Sequence, residues 1–137
     1  MDQSKLSVLI VDDNQDIRDL LTHILEPHGF LISTAPDGIT ALQIIEESPP
    51  NLILLDVMMP GISGYEVVAK LRAHSNSIIA GLPILLITAK SQLEDLDTGL
   101  ASGATSYLIK PFRPASLLQK IDLIISEQAE TTMEARQ

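Results

Sequence analysis

Apolar positions along this 137-residue chain alternate between two periods. Short runs at Leu6–Val11, Phe30–Thr34, Leu52–Leu55, Ile84–Ile87 and Ser106–Ile109 have strand length. After each run the spacing turns helical. Ile17, Leu20, Leu21, Ile24 and Leu25 recur at i, i+3, i+4, i+7 and i+8, and Pro27 with Gly29 closes that helix. A second helix starts near Asp37, carries Ala41, Leu42 and Ile45, and stops before Pro49 and Pro50. Ser63 with Glu66, and Ser91 with Glu94, have the spacing of capping boxes. They predict a third helix bearing Val67, Val68 and Leu71, and a fourth bearing Leu93, Leu96 and Leu100 that Gly103 ends. The last helix has Pro114 near its first position and Leu117, Leu118, Ile121, Ile124 and Ile125 on one side, with Leu123 pointing away. The closing "SEQAETTMEARQ" is polar and is expected to fray.

Strict alternation of strands and helices with short connections predicts an α/β fold: a doubly wound, five-stranded parallel sheet with helices on both faces. The expected strand order is 2-1-3-4-5. In such a sheet the ligand site lies beyond the carboxyl ends of the strands, where the order reverses, here between the first and third strands.

The third run, "NLILLDVMMPG", is nearly all apolar, as suits a strand buried on both faces, yet it ends on Asp56. By itself that acid reads as a turn residue. The other strand ends change the picture. The first ends in Val11-Asp12-Asp13, the fourth in Ile87-Thr88, the fifth in Ile109-Lys110-Pro111, and the second in Thr34 at the flank. Three carboxylates, a hydroxyl and an ammonium should therefore converge on one edge. Two carboxylates about 4 Å apart repel by roughly 4 kcal/mol at an effective dielectric near 20. Three want counter-ions: Lys110 supplies one charge, and a hard divalent cation such as Mg²⁺, which favours carboxylates, carbonyls and water, supplies two. There are no cysteines, and His23, His28 and His74 are scattered and read as surface or packing residues, so zinc is not indicated. A carboxylate nucleophile, Mg²⁺, a lysine and a hydroxyl make a site for phosphoryl transfer.

Composition narrows the setting. The length suits one domain. A net charge of −9 leaves no basic stripe for nucleic acid, so no direct nucleic-acid binding is expected of this chain. No stretch reaches the roughly 18 apolar residues of a membrane span, and the first residues lack signal-peptide character. A cytoplasmic protein without membrane contact is expected.

Four motifs in order, "VDDN" (11–14), "LLDVMMPGISG" (54–64), "ITA" (87–89) and "YLIKPF" (107–112), make residues 5 to 126 resemble the response-regulator receiver domains of two-component signalling. The resemblance implies a flavodoxin-like (βα)₅ receiver over residues 1–126, with 127–137 a polar tail or linker. It implies that Asp56 is the phosphoacceptor and that Asp13, Asp56 and the Met58 carbonyl hold Mg²⁺, with Asp12 binding a metal-bound water. Lys110 would pair with the phosphoryl group, its bond to Pro111 being cis in the family. Thr88 and Tyr107 resemble the switch pair. Asn14, Ile17, Pro111 and Phe112 resemble the docking surface for a histidine kinase or a histidine phosphotransfer protein. Met58 and Lys90 occupy the positions that flank the water that hydrolyses the phosphoryl group. Such a domain catalyses only its own phosphorylation and slow dephosphorylation, and its downstream target is not written in this sequence. The charged dimer face of the DNA-binding branch is not matched, since Thr105, Ser106 and the "LLQKIDLII" stretch replace its acids and arginines.

Two rivals remain. A hydrolase of the haloacid-dehalogenase type also uses a strand-end aspartate and Mg²⁺, but it needs an acid two residues later, where Met58 stands. A pseudo-receiver would bind without phosphorylation, against which stands the intact set Asp12, Asp13, Asp56, Thr88 and Lys110.

Overall fold

The computed structural model describes residues 6–89 and 103–136, with side chains to residue 128. Five strands, β1 (Ser7–Val11), β2 (Leu31–Ala35), β3 (Leu52–Asp56), β4 (Ile84–Ala89) and β5 (Ser106–Lys110), form one sheet in the order β2-β1-β3-β4-β5. All four pairings are parallel. The doubly wound architecture expected from the alternation is the one observed.

Burial explains why the strands read as they do. All five residues of β3 are buried, so neither face of that strand shows a polar alternation. Leu52 and Leu54 pack with Val8, Ile10, Leu85 and Ile87 beneath α1 (Gln15–Leu25) and the C-terminal helix (Pro114–Arg136). Ile53 and Leu55 pack with Leu9, Val11, Ile84 and Leu86 beneath α2 (Gly38–Glu47) and α3 (Gly64–Arg72). Each strand thus feeds two cores with alternate residues.

Polar side chains set the helix starts. Asn14 caps α1 by accepting from the Asp16 and Ile17 amides. Asp37 caps α2 through the Thr40 amide, and that bond holds its carboxyl below the ordinary range. Ser63 and Glu66 form the reciprocal capping box expected from their spacing. Gly29, at φ 89°, ends the turn Glu26–His28 that follows α1.

The structure departs from the sequence pattern in three places. Leu20, placed on the apolar side of α1 by spacing, is 49% exposed, because the core beneath that helix is filled by Leu21 and Leu25. A one-turn helix, Ser77–Ala80, capped by Asn76, was too short to leave a period. The C-terminal helix runs on to Arg136, past the apolar positions that mark it in the sequence; its polar end is rich in glutamate, glutamine and alanine, which are good helix formers. The helix expected from Ser91, Glu94, Leu93, Leu96 and Leu100 lies outside the described residues. Among the described residues, no helix is long and apolar enough to cross a membrane.

Gly64 fixes how α3 meets the sheet. A Cβ there would stand 2.5 Å from the Asp56 carbonyl oxygen and 2.9 Å from the Val57 Cα. The Gly64 amide instead donates to the Val57 carbonyl at 2.9 Å. Gly64→Ala is expected to lower stability by about 1–3 kcal/mol in urea unfolding, because backbone cannot yield as a side chain can.

Candidate functional site

The register brings the acids together. Val11 stands opposite Leu55 across β1 and β3, so Asp12 and Asp56 leave the sheet side by side. Both carry the parity of Val8, Ile10, Leu52 and Leu54, and so does Lys110 relative to Leu108. The three therefore share the α1 face of the sheet edge. Thr88 and Tyr107 have the opposite parity, on the α3 face, on neighbouring strands: Thr88 pairs with Ile109 and Leu86 with Tyr107.

Carboxylate oxygens of Asp12, Asp13 and Asp56 lie within 4.8 Å of one another. Asp12 and Asp56 are buried, at 3% and 8% exposure, and Asp13 is exposed. The Lys110 ammonium bridges the two buried acids, 3.4 Å from Asp12 Oδ2 and 3.6 Å from Asp56 Oδ1. Asp12 Oδ1 also accepts from the Asn14 amide at 2.9 Å, and Asp56 Oδ1 from the Met58 amide at 3.4 Å. Burial pushes the Asp56 carboxyl up to about 6; Lys110 opposes that rise, Asp12 and Asp13 add to it, and the Met58 amide lowers it.

This donor set suits a hard divalent cation. It offers three hard carboxylates that repel one another and no thiolate or imidazole among the described residues. The arrangement can also hold a phosphoryl group between an acid nucleophile and an ammonium.

The family model for the response regulator receiver domain matches residues 8–122. The chain belongs to that family. The DNA-binding response regulator MtrA of Mycobacterium tuberculosis is 40% identical over 121 residues, which are 88% of this chain and 51% of MtrA. The chain thus spans about half the length of the curated relatives it matches. The chemotaxis protein CheY4 of Vibrio cholerae has a similar structure, with a TM-score of 0.80 and 36% identity over 87% of this chain and 98% of its own. So does the signal receiver domain of a signal transduction histidine kinase from Syntrophus aciditrophicus, with a TM-score of 0.82 and 28% identity over 89% of this chain and 91% of its own.

Other motif residues of this receiver domain are placed as follows. Thr88 is fully buried at the end of β4, its hydroxyl 3.5 Å from the Ala89 carbonyl. Tyr107 is half-buried, with the Lys120 ammonium 5.3 Å from its ring centre. Lys110–Pro111 is a cis bond. Asn14 is spent on its cap and on Asp12, and Ile17 and Phe112 pack partly against the α1-side core while Pro111 is exposed. Met58 is 64% exposed beside Asp56. Lys90 lies outside the described residues. His23 and His28 are exposed, and His74 bridges Glu46 and the Asn76 amide away from the acids. Sequence spacing left two contacts of the site unread: the close approach of Gly64 to the Asp56 carbonyl, and Arg18, whose Nη1 donates to the Asp12 carbonyl at 2.7 Å.

The raised Asp56 sets a pH dependence. Between about 4 and about 6 the folded chain holds a proton that the unfolded chain has released. Stability in EDTA should therefore fall as pH rises through that window, by on the order of 2–3 kcal/mol. Chemical unfolding of Asp56→Asn across the same range should show a much flatter profile.

Proposed function

We propose that this receiver takes a phosphoryl group onto Asp56 from a histidine kinase or a histidine phosphotransfer protein, with Mg²⁺ as its cofactor. The observation that carries this reading is the Lys110 ammonium seated between Asp12 and Asp56 at the rim of a three-carboxylate cluster. An Asp56 oxygen attacks phosphorus; the new O–P bond forms as the donor's N–P bond breaks, and the electron pair stays on the imidazole nitrogen. Burial raises the Asp56 carboxyl to about 6 in the metal-free chain, and a bound divalent cation would lower it and favour the ionised nucleophile. Lys110 pairs with the phosphoryl oxygens as it pairs with the acids now. Asp13, Asp56 and the Met58 carbonyl would hold the cation, and Asp12 would act through a bound water. When bound, Mg²⁺ supplies positive charge to the phosphoryl oxygens.

Thr88 and Tyr107 are the switch pair of this reading, and their shared face of neighbouring strands supports it. The face that changes is the one formed by the helix expected before Gly103 and by β5. Met58 offers a water only a weak thioether acceptor, which favours slow self-hydrolysis. The haloacid-dehalogenase reading is not favoured, because Met58 stands where its acid would be. We read 1–126 as the receiver, because Ile125 is the last described residue packed on a core, and 127–137 as a linker. MtrA is by name DNA-binding; the −9 charge of this chain favours a reading in which any such contact lies outside it. The setting is a cytoplasmic phosphorelay with no membrane contact.

Acetyl phosphate with Mg²⁺ should add one phosphoryl group, seen by intact mass and removed by hydroxylamine. Asp56→Asn should abolish it, and undiminished single-site labelling of that variant would refute the assignment.

Docking of the donor protein falls on Asn14, Ile17, Pro111 and Phe112, and Leu20 extends that patch because it lies three residues from Ile17 on one helix face. Leu20→Asp should slow transfer from a phosphohistidine partner at least tenfold, while labelling by acetyl phosphate stays within twofold. Equal losses with both donors would count against docking there.

A further inference from the structure

Asp12 is held on every side. Its amide donates to the Ala35 carbonyl at 3.2 Å, Oδ1 accepts from Asn14, Oδ2 from Lys110, and its own carbonyl accepts from Arg18. Asp13 is held differently. It is exposed, and among the described residues no group hydrogen-bonds to its carboxylate. Its position therefore depends on the backbone that leads into it. The Asp12 carbonyl and the Asp13 amide belong to one planar peptide, so fixing that oxygen fixes the direction in which Asp13 leaves the strand.

Arg18 does this from the end of the first turn of α1. A helical side chain leans toward the helix N-terminus, so a long one at this position runs back over the β1–α1 loop. Its Nη1 meets the Asp12 carbonyl at 2.7 Å, a short, charge-assisted bond. Asp16 and Asp19 flank it on the same helix, yet among the described residues Arg18 forms an ion pair with neither. The guanidinium is half-buried on a backbone oxygen instead of extended toward those exposed acids. We infer that Arg18 is a positioning residue for the cation site: it clamps the Asp12–Asp13 peptide so that the Asp13 carboxylate meets Asp12 and Asp56. This rests on the reading of the cluster as a Mg²⁺ site.

The sign of the effect separates positioning from simple charge. A nearby guanidinium repels a divalent cation, so by charge alone its removal would tighten binding. Mg²⁺ demands near-octahedral geometry, so a displaced ligand loosens binding. Position 18 lies on a half-exposed helical face, and glutamine and alanine are both good helix formers, so both variants should fold.

The test is a calorimetric Mg²⁺ titration of the full chain, of Arg18→Gln, of Arg18→Ala and of Arg18→Lys, with thermal melts of each in EDTA. Mg²⁺ affinity should fall about tenfold in the Gln and Ala variants and stay within about threefold in the Lys variant, which keeps a donor and a charge. In labelling by acetyl phosphate, the Mg²⁺ concentration for half-maximal rate should rise while the rate at saturating Mg²⁺ changes little. Affinity equal to the parent's or tighter in the Gln and Ala variants would overturn the inference, even with a lower melting temperature in EDTA, since a purely structural arginine moves only the melt. A parent chain that binds no Mg²⁺ would overturn the reading of the cluster itself, and this inference with it.

Discussion

Mutual repulsion of three carboxylates at one sheet edge is the constraint around which this molecule is arranged. Asp12, Asp13 and Asp56 stand close enough to share one cation, and two of them are buried. A carboxylate in such a place is costly unless it is paired or hydrogen-bonded. The compensation is spread over several elements: the Lys110 ammonium from β5, amides from the loops after β1 and β3, and the Arg18 guanidinium on the carbonyl that joins the first two acids. It is incomplete, as the raised carboxyl of Asp56 records. Burial thus makes that carboxyl more basic than an ordinary aspartate.

The sheet makes the arrangement rigid. β3 is buried on both faces, so its last residue cannot shift without disturbing two cores at once. α3 starts in contact with the backbone of that same residue, at a glycine where no side chain fits. The parallel order places β1 and β3 side by side with their connections on opposite faces, which opens the crevice into which Asp12 and Asp56 project. Sheet parity then sorts the functional groups. Asp12, Asp56 and Lys110 look toward α1, while Thr88 and Tyr107 look toward α3, with Lys120 reaching over the tyrosine ring.

Half the length of the curated relatives is enough for all of this, because every group in the cluster and every strand that holds it lies between Ser7 and Lys110. The family uses this body both as nearly a whole chain, as in the chemotaxis protein, and as one part of a larger one.

From the amino-acid order alone came the five strands and their order, the parallel sheet, the acids at the strand ends and the lysine opposite them. Those features are local or periodic. An apolar run, a capping pair such as Ser63 and Glu66, or an acid at the end of a strand leaves its mark within a few residues. What only the tertiary structure decided depends on surfaces that meet across the chain. Leu20 has the spacing of a core residue, and only the filled space under α1 turns it outward. Gly64 closes the 54–64 motif, but only the structure shows the Asp56 carbonyl where its Cβ would be. Arg18 reads as a solvated charge among acids, and only the path of the loop before α1 brings the Asp12 carbonyl within its reach. The basicity of Asp56 is likewise a property of its surroundings, because burial and the two neighbouring acids raise it against the pull of Lys110.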